Sequence, residues 1–591
     1  MTYEELLNRY DEIVVIDAEY SVASGQRPNP VCCCAWELKS GKQHRVWTYK
    51  KANQIQPPWP DGPDVLHVVF YAPAECGFYL SMGWKLPYSV LDLYSAYAWF
   101  ANGRNMRNGG RSLLAAMSSF GLNSMEAEEK EYWRDMIIRL DWNEDQIDGI
   151  LDYCWRDVAA TQKLLRRMMP YIDFKRELLR GEFMKGLSAI EQTGIPLDTE
   201  SLNKIVEAWP QLKDQLIKKA NDIHPFYEAG VFKLKSFDQY LRKNKIKWQR
   251  TSSGRPTTSS DYLRMMGSRF PDLEKLRNIR DTISQFKNLR LAIGPDNRNR
   301  FMQSPLKTIT GRNAPSNAKN IFGTAKWMRN LIQPPPGKAL SYVDYSGNEL
   351  GTAAYLSGDP LMMEAYESDD PYSWFAIRSG HAPEGASKKS HPEVREVFKV
   401  LCLSLMYGQG SRGIAERLGI SEYRAEEMVK LHKKTFTVFW QWSDDTVSRA
   451  LLNRKIIAPL GWQYHVRSQD WDEFGRKKGP NQRSLMNFPM QACGSEMMRM
   501  ATILLAKAGI RCCGVIHDAF LVEADEKEIE GTVKRTQYWM EEASKIVLNG
   551  YSLRTDAETF RYPERFPEKR GFEIWEMLQN HLKTEPAFQL V

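Results

Sequence analysis

The chain has 591 residues and a net charge of +8, from 81 Lys and Arg against 73 Asp and Glu. That length exceeds one compact core and predicts several domains, while 42% hydrophobic and 12% aromatic residues exclude a disordered chain. No run of about 18 apolar residues occurs, so no membrane partner is expected. The acidic start, Met1 to Leu7, resembles neither a signal nor a transit peptide, so a cytoplasmic location is expected. Nine cysteines include Cys32-Cys33-Cys34 and Cys512-Cys513 but no C-x-x-C pair, which reads as buried reduced thiols rather than zinc ligands.

Glu12 to Glu19 is an apolar run ending in two acids, Asp17 and Glu19. Alternation along a strand points both to one face. Val31–Leu38 and His44–Lys50 read as two further strands, an antiparallel start. His67 to Glu75 is a strand leading to another acid, Glu75, and Asp92 follows in Val90–Tyr94. Leu151–Thr161 has a helical pattern that puts Tyr153 and Asp157 on one face. Carboxylates on a strand plus a third on a helix can hold two divalent cations for phosphodiester cleavage, with the tyrosine orienting water. The run Lys233 to Arg264 is rich in Lys and Arg, which in isolation reads as a solvated surface and, between two centres that act on nucleic acid, as one that tracks phosphates.

Ala339–Asp344 is a strand with its acid at the carboxyl end, followed by a turn and a helix from Glu349 to Leu356. Val515–Val522 holds a polar pair, His517-Asp518, between apolar runs, which predicts a tight hairpin. Two acids from separate strands can bridge two Mg²⁺ ions. Between them, Ser390–Glu393 predicts a capping box with Pro392 in the first turn. Arg395, Lys399, Leu403 and Tyr407 then recur every four residues. The stripe drifts about 40° per step and runs roughly 18 Å, the reach of an extended nucleoside triphosphate. Its cations suit phosphates and its tyrosine a base. Gly408 predicts the helix end.

In this order the segments around Asp344, around Arg395 to Tyr407 and around His517-Asp518 resemble motifs A, B and C of the DNA polymerase I family (family A). The Asp17-x-Glu19 and Tyr153-x-x-x-Asp157 pair resembles the DEDD class of 3′–5′ exonucleases. The resemblance implies an α/β and α+β multidomain chain. A ribonuclease-H-like exonuclease would occupy about 1–175 and a right-hand polymerase 176–591, with a thumb near 200–300, fingers near 361–470 and palm elsewhere. Ser188–Asp198 resembles the opening segment of that polymerase domain.

The family resemblance also implies roles. Glu75 would be the fourth exonuclease acid, with Asp92 the alternative and Tyr71 where Asn is usual. Thr310-Gly311-Arg312 would contact the primer end. Arg483, Asn487 and Gln491 would read the minor groove of the nascent pair, where every pair offers acceptors, with His517 also at the DNA. Tyr345, Glu349, Arg395, Lys399, Leu403 and Tyr407 would contact the dNTP, Glu349 crowding the 2′ position against ribonucleotides. Three departures stand out: Ala519 where an acid usually follows His-Asp, Leu403 where Phe or Tyr is usual, and Tyr372 where His is frequent. The expected activity is Mg²⁺-dependent, template-directed DNA synthesis with proofreading, by a monomer on primer-template DNA. The compact layout looks phage-like, with helicase or single-strand-binding partners unspecified. Rival readings are a single-subunit RNA polymerase, which lacks Glu349 and the nuclease acids, a scaffold with a decayed polymerase fold, and a nuclease whose C-terminal part only grips DNA.

Overall fold

The computed structural model describes residues 1–106, 110–123, 127–267, 269–287, 289–467, 470–471 and 477–584. The first sheet is built on β1 (Glu12–Ser21), with β2 (Asn29–Glu37), β3 (Gln43–Trp47), β4 (Val65–Val69) and β5 (Ser89–Asp92), in the order β3-β2-β1-β4-β5. β2 and β3 are antiparallel as the sequence suggests, while β4 and β5 run parallel to β1. Central β1 is covered on both faces, which is why it begins as an unbroken apolar run rather than an alternating one. Ile13 and Val15 pack with Tyr97 and Cys154 on one side; Val14 and Ile16 pack with Phe78 and Leu187 on the other.

The covering helices are α1 (Ala72–Met82), α2 (Leu93–Ala101), α3 (Ala127–Arg139), α4 (Glu144–Met168) and α5 (Phe174–Thr193). α4 begins with a capping box between Asn143 and Gln146. α5 runs unbroken through residues 175 and 176. Its Gly181 lies against β5 so closely that a Cβ would come within 2.0 Å of the Val90 carbonyl oxygen. Buried Glu177 on α5 pairs with Arg180 and accepts from Ser95 Oγ at 2.7 Å. All nine cysteines are buried and free.

After a helical region over residues 199–287, a second sheet forms from β6 (Lys338–Tyr345), β7 (Cys512–Ile516), β8 (Ala519–Asp525) and β9 (Thr555–Arg561). It is antiparallel throughout, in the order β7-β8-β6-β9. Val343, Tyr345, Phe520 and Val522 face one core, shared with α6 (Asn348–Ser357), α7 (Pro392–Met406), α8 (Gln482–Lys507) and α9 (Ile529–Val547). Leu340, Leu521 and Phe560 face the other, shared with the 199–287 helices. Asp344 shares that second face by alternation and lies at its open end.

The capping box expected at Ser390 is absent. The helix starts one residue later, with His391 as N-cap and no side-chain cap, because Pro392 takes the first helical position. Ser390 Oγ instead accepts from the Ser387 amide at 2.9 Å. The other end matches expectation: Gly408 has φ +70°, its amide bonds to Leu405, and the Gln409 amide bonds to Ser404, a Schellman closure.

Candidate polymerase and exonuclease centres

Asp344 is the penultimate residue of β6, with a β-strand on each side of it. Across β8 it pairs with Ala519 and across β9 with Asp556. The Tyr345 amide donates to the Asp518 carbonyl at 3.2 Å, which locks the His517-Asp518 turn against the end of β6. That turn holds His517 at φ +55°, an unusual backbone for a residue with a side chain. The two acids that the sequence places far apart therefore converge. Burial, then the neighbouring charges of Asp518 and Asp556, push the Asp344 carboxyl up to about 6.

Glu349 in the first turn of α6 accepts a hydrogen bond from Tyr407 Oη at the end of α7. Burial raises the Glu349 carboxyl, opposed by that bond and by Arg312. Arg312 also lowers His517, behind desolvation, and so stands beside both motifs. Its loop is fixed by Gly311, at φ +75°, where a Cβ would lie 2.8 Å from the Trp462 ring. Thr310 is buried, 3.1 Å from Thr308 Oγ1. On α8, Asn487 donates to the Met406 carbonyl at 3.2 Å, Gln491 hydrogen-bonds Tyr407, and Arg483 packs against Gly408.

Three expected substrate residues, two of them on the helix stripe, are engaged by other parts of the protein. Arg395 is held in a two-point ion pair by Asp370, with Nε at 2.9 Å and Nη2 at 2.8 Å, over the Tyr372 ring. Leu403 is half-buried against the core. Tyr345 is a correction: its side chain is 2% exposed and donates to the Met540 carbonyl beneath the sheet, so it cannot reach a dNTP. The cause is alternation, since a strand that aims Asp344 at the cleft turns its neighbour away. Lys399 remains accessible beside Glu396.

In the N-terminal part, single carboxylate oxygens of Asp17, Glu19 and Asp157 lie within 4.8 Å of one another, an arrangement that can hold a metal ion. They line a cavity of about 930 Å³ together with Glu75 and Tyr153. Burial raises the carboxyls of Asp17, Glu19 and Glu75, reinforced by Asp157 at Asp17 and by Asp17 at the other two. Asp17 Oδ2 and Glu75 Oε2 are buried without a hydrogen-bond partner among the described residues. Such atoms are costly unless a cation or proton satisfies them. Asp92 is used otherwise: it caps α2, accepting from the Tyr71 and Tyr94 amides at 2.9 Å each.

Two residues escaped the sequence reading. Asp556 becomes visible only once β9 is registered against β6, and Ser346 Oγ holds it at 2.5 Å. Lys130 on α3 reaches Asp157 Oδ2 at 2.6 Å, buried inside the acid cluster. No local pattern distinguishes it from its charged neighbours.

The model of DNA polymerase family A matches residues 203–558, more than half of the chain. DNA polymerase I of Aquifex aeolicus is 25% identical over 69% of this chain and 75% of its own length. The thermostable DNA polymerase I of Thermus thermophilus is 25% identical over 67% of this chain but only 50% of its own length. The DNA polymerase of Mycobacterium phage L5 is 24% identical over 67% and 65%. Among solved structures, the POL domain of Pol1 from M. smegmatis, in complex with DNA primer-template and dNTP, superposes with a TM-score of 0.70. It covers 93% of this chain and 94% of its own at 18% identity, which establishes a shared fold. Fold, site order and family match agree: the chain belongs to DNA polymerase family A.

Proposed function

We propose that this protein extends a DNA primer on a template with dNTPs and removes mismatched 3′ ends with its N-terminal centre. On this reading residues 1–175 are a ribonuclease-H-like 3′–5′ exonuclease. The second sheet is the palm, the 200–300 region the thumb and 361–470 the fingers. The observation that carries it is the meeting of Asp344 and Asp518 at one strand end, facing the Glu349–Tyr407 contact.

Asp344 and Asp518 would hold two divalent cations, Mg²⁺ by expectation, whose charge activates a primer hydroxyl and neutralises a triphosphate. The donor set fits: hard carboxylate oxygens, gathered and partly desolvated. The chain's own residues then position the reaction, in which the primer 3′-oxygen attacks the α-phosphate and pyrophosphate leaves. Lys399, and Arg395 once it exchanges Asp370 for phosphate, pair with the triphosphate. Arg312 holds the primer end. Arg483 and Gln491 face the nascent pair. In the nuclease centre Asp17, Glu19, Asp157 and Glu75 would hold the cations, and Tyr153 would orient water. Primer extension requiring Mg²⁺, faster with dNTPs than with rNTPs, tests the reading; a preference for rNTPs would replace it with an RNA polymerase.

Glu349 sets the sugar. Glu349→Ala opens the space beside the 2′ carbon and frees Tyr407, so kcat/KM for rNTPs relative to dNTPs should rise by about 10–10²-fold. An unchanged ratio removes Glu349 from this role.

Asp344 also sets a pH dependence. A cation needs the carboxylate, so Mn²⁺ affinity, read by electron paramagnetic resonance, should rise with pH through about 6 and flatten above it. The linkage has the matching sign. The raised value gives the metal-free fold a stabilising contribution below the ordinary carboxylate range, and that contribution is lost as pH rises through about 6.

A further inference from the structure

The nuclease cavity is not built by the N-terminal part alone. Met302, Ser304 and Lys307, from the strap of chain that leads into Thr310-Gly311-Arg312, also line it. This strap is tied down closely. The Gln303 amide donates to Glu191 Oε1 at 2.6 Å, Tyr94 Oη donates to the Pro305 carbonyl at 3.2 Å, and Arg111 donates to the Leu306 carbonyl. The Asn102 side-chain amide takes the Ile309 carbonyl at 2.7 Å. Ser304 and Leu306 have φ of +48° and +59°. Left-handed residues other than glycine cost about 1–2 kcal/mol each and persist only where surrounding contacts enforce them.

That enforced shape buries Gln303, Pro305 and Leu306 and turns their neighbours outward. Met302 is 60% exposed beside the cavity, and Lys307 is exposed with no carboxylate at ion-pair distance among the described residues. An exposed thioether and an uncommitted ammonium lining the same cavity as a nest of acids match what an unpaired DNA end requires. Lys130 is already committed to Asp157, so Lys307 is a cation still available to a phosphate. Single strands are held by cations along the backbone and by apolar or polarisable groups against the bases.

Resting on the proofreading reading above, we propose that Met302 and Lys307 form the substrate wall of the nuclease centre. Lys307 pairs with a backbone phosphate of a single-stranded 3′ end, and Met302 packs against an unpaired base. The same strap ends at Arg312 beside Glu349, so one rigid segment touches both places between which a primer end must move.

The test uses the full chain with Mg²⁺ and a fluorescein-labelled dT8 oligonucleotide as nuclease substrate. Lys307→Gln should raise KM about fivefold with kcat within twofold. It should also make the slope of log(kcat/KM) against log[KCl] shallower by about 0.7, the loss of one single-strand phosphate contact. Lys307→Arg should restore the slope, and Met302→Ser should raise KM without altering it. Thermal unfolding by circular dichroism verifies that each variant is folded. If wild type fails to digest dT8, the nuclease reading falls and takes this inference with it. If wild type digests dT8, Asp17→Ala does not, and both wall variants keep the wild-type KM and slope, the wall assignment alone is overturned.

Discussion

Asp344→Asn should reduce primer extension by about 10³-fold or more while leaving primer-template binding intact or tighter. The magnitude follows from removing a preorganised charge at the place where charge is redistributed in the transition state. The direction of the binding effect follows from electrostatics, because one fewer carboxylate faces a polyanion. Asp518→Asn should match it, since on the proposed reading the two groups hold the same cations and their losses do not add. Asp556→Asn separates a ligand from a neighbour. Asp344 has Ala519 on one flank, where the family usually supplies an acid, and Asp556 on the other. If Asp556 supports the centre from that flank, its loss should cost about 10–100-fold in kcat and lower Mn²⁺ affinity, the range of residues that act through a metal ligand. Single-turnover extension and fluorescence anisotropy on one primer-template measure both quantities. Extension by Asp518→Asn at the wild-type rate would remove this centre from the chemistry.

The parts legible in sequence were those governed by local rules. Strand alternation put Asp17 and Glu19 on one face, four-residue spacing ordered Arg395 to Tyr407, and Gly408 announced its closure. The same alternation already contained the correction at Tyr345, since adjacent strand residues cannot both face one cleft. The missed capping box shows two local rules in competition, with proline fixing the first turn before serine can cap it. Asp556, Lys130 and the strap at 302–307 were not legible. Each depends on pairing between segments distant in sequence, and register across β6 and β9 is set by the whole sheet rather than by either strand alone. Arg395 is intermediate: the helix stripe was readable, but its ion pair with Asp370 exists only because α7 packs beside the helix Pro371–Arg378 that Asp370 caps.

Asp17→Asn should abolish removal of a mismatched 3′ nucleotide, by about 10³-fold, and leave extension from a matched primer unchanged, because Asp17 and Asp344 lie on strands of separate sheets. The same variant should melt higher than wild type when both are metal-free at pH 8. Burial and Asp157 hold the Asp17 carboxyl above its ordinary value, so its ionised form is disfavoured in the fold. A group raised in this way supports stability below the ordinary carboxylate range and loses that support as pH rises through its shifted value. The asparagine does not ionise, so the gain should be on the order of 1 kcal/mol or more at pH 8 and vanish near pH 4. Adding Mg²⁺ should reverse the ranking, raising the wild-type midpoint more than the variant's, because a cation that binds only the folded cluster stabilises by mass action. Equal midpoints at pH 8 with and without Mg²⁺ would mean that these carboxylates are neither strained when empty nor relieved when filled. The buried, unpartnered oxygens of Asp17 and Glu75 would then need another explanation.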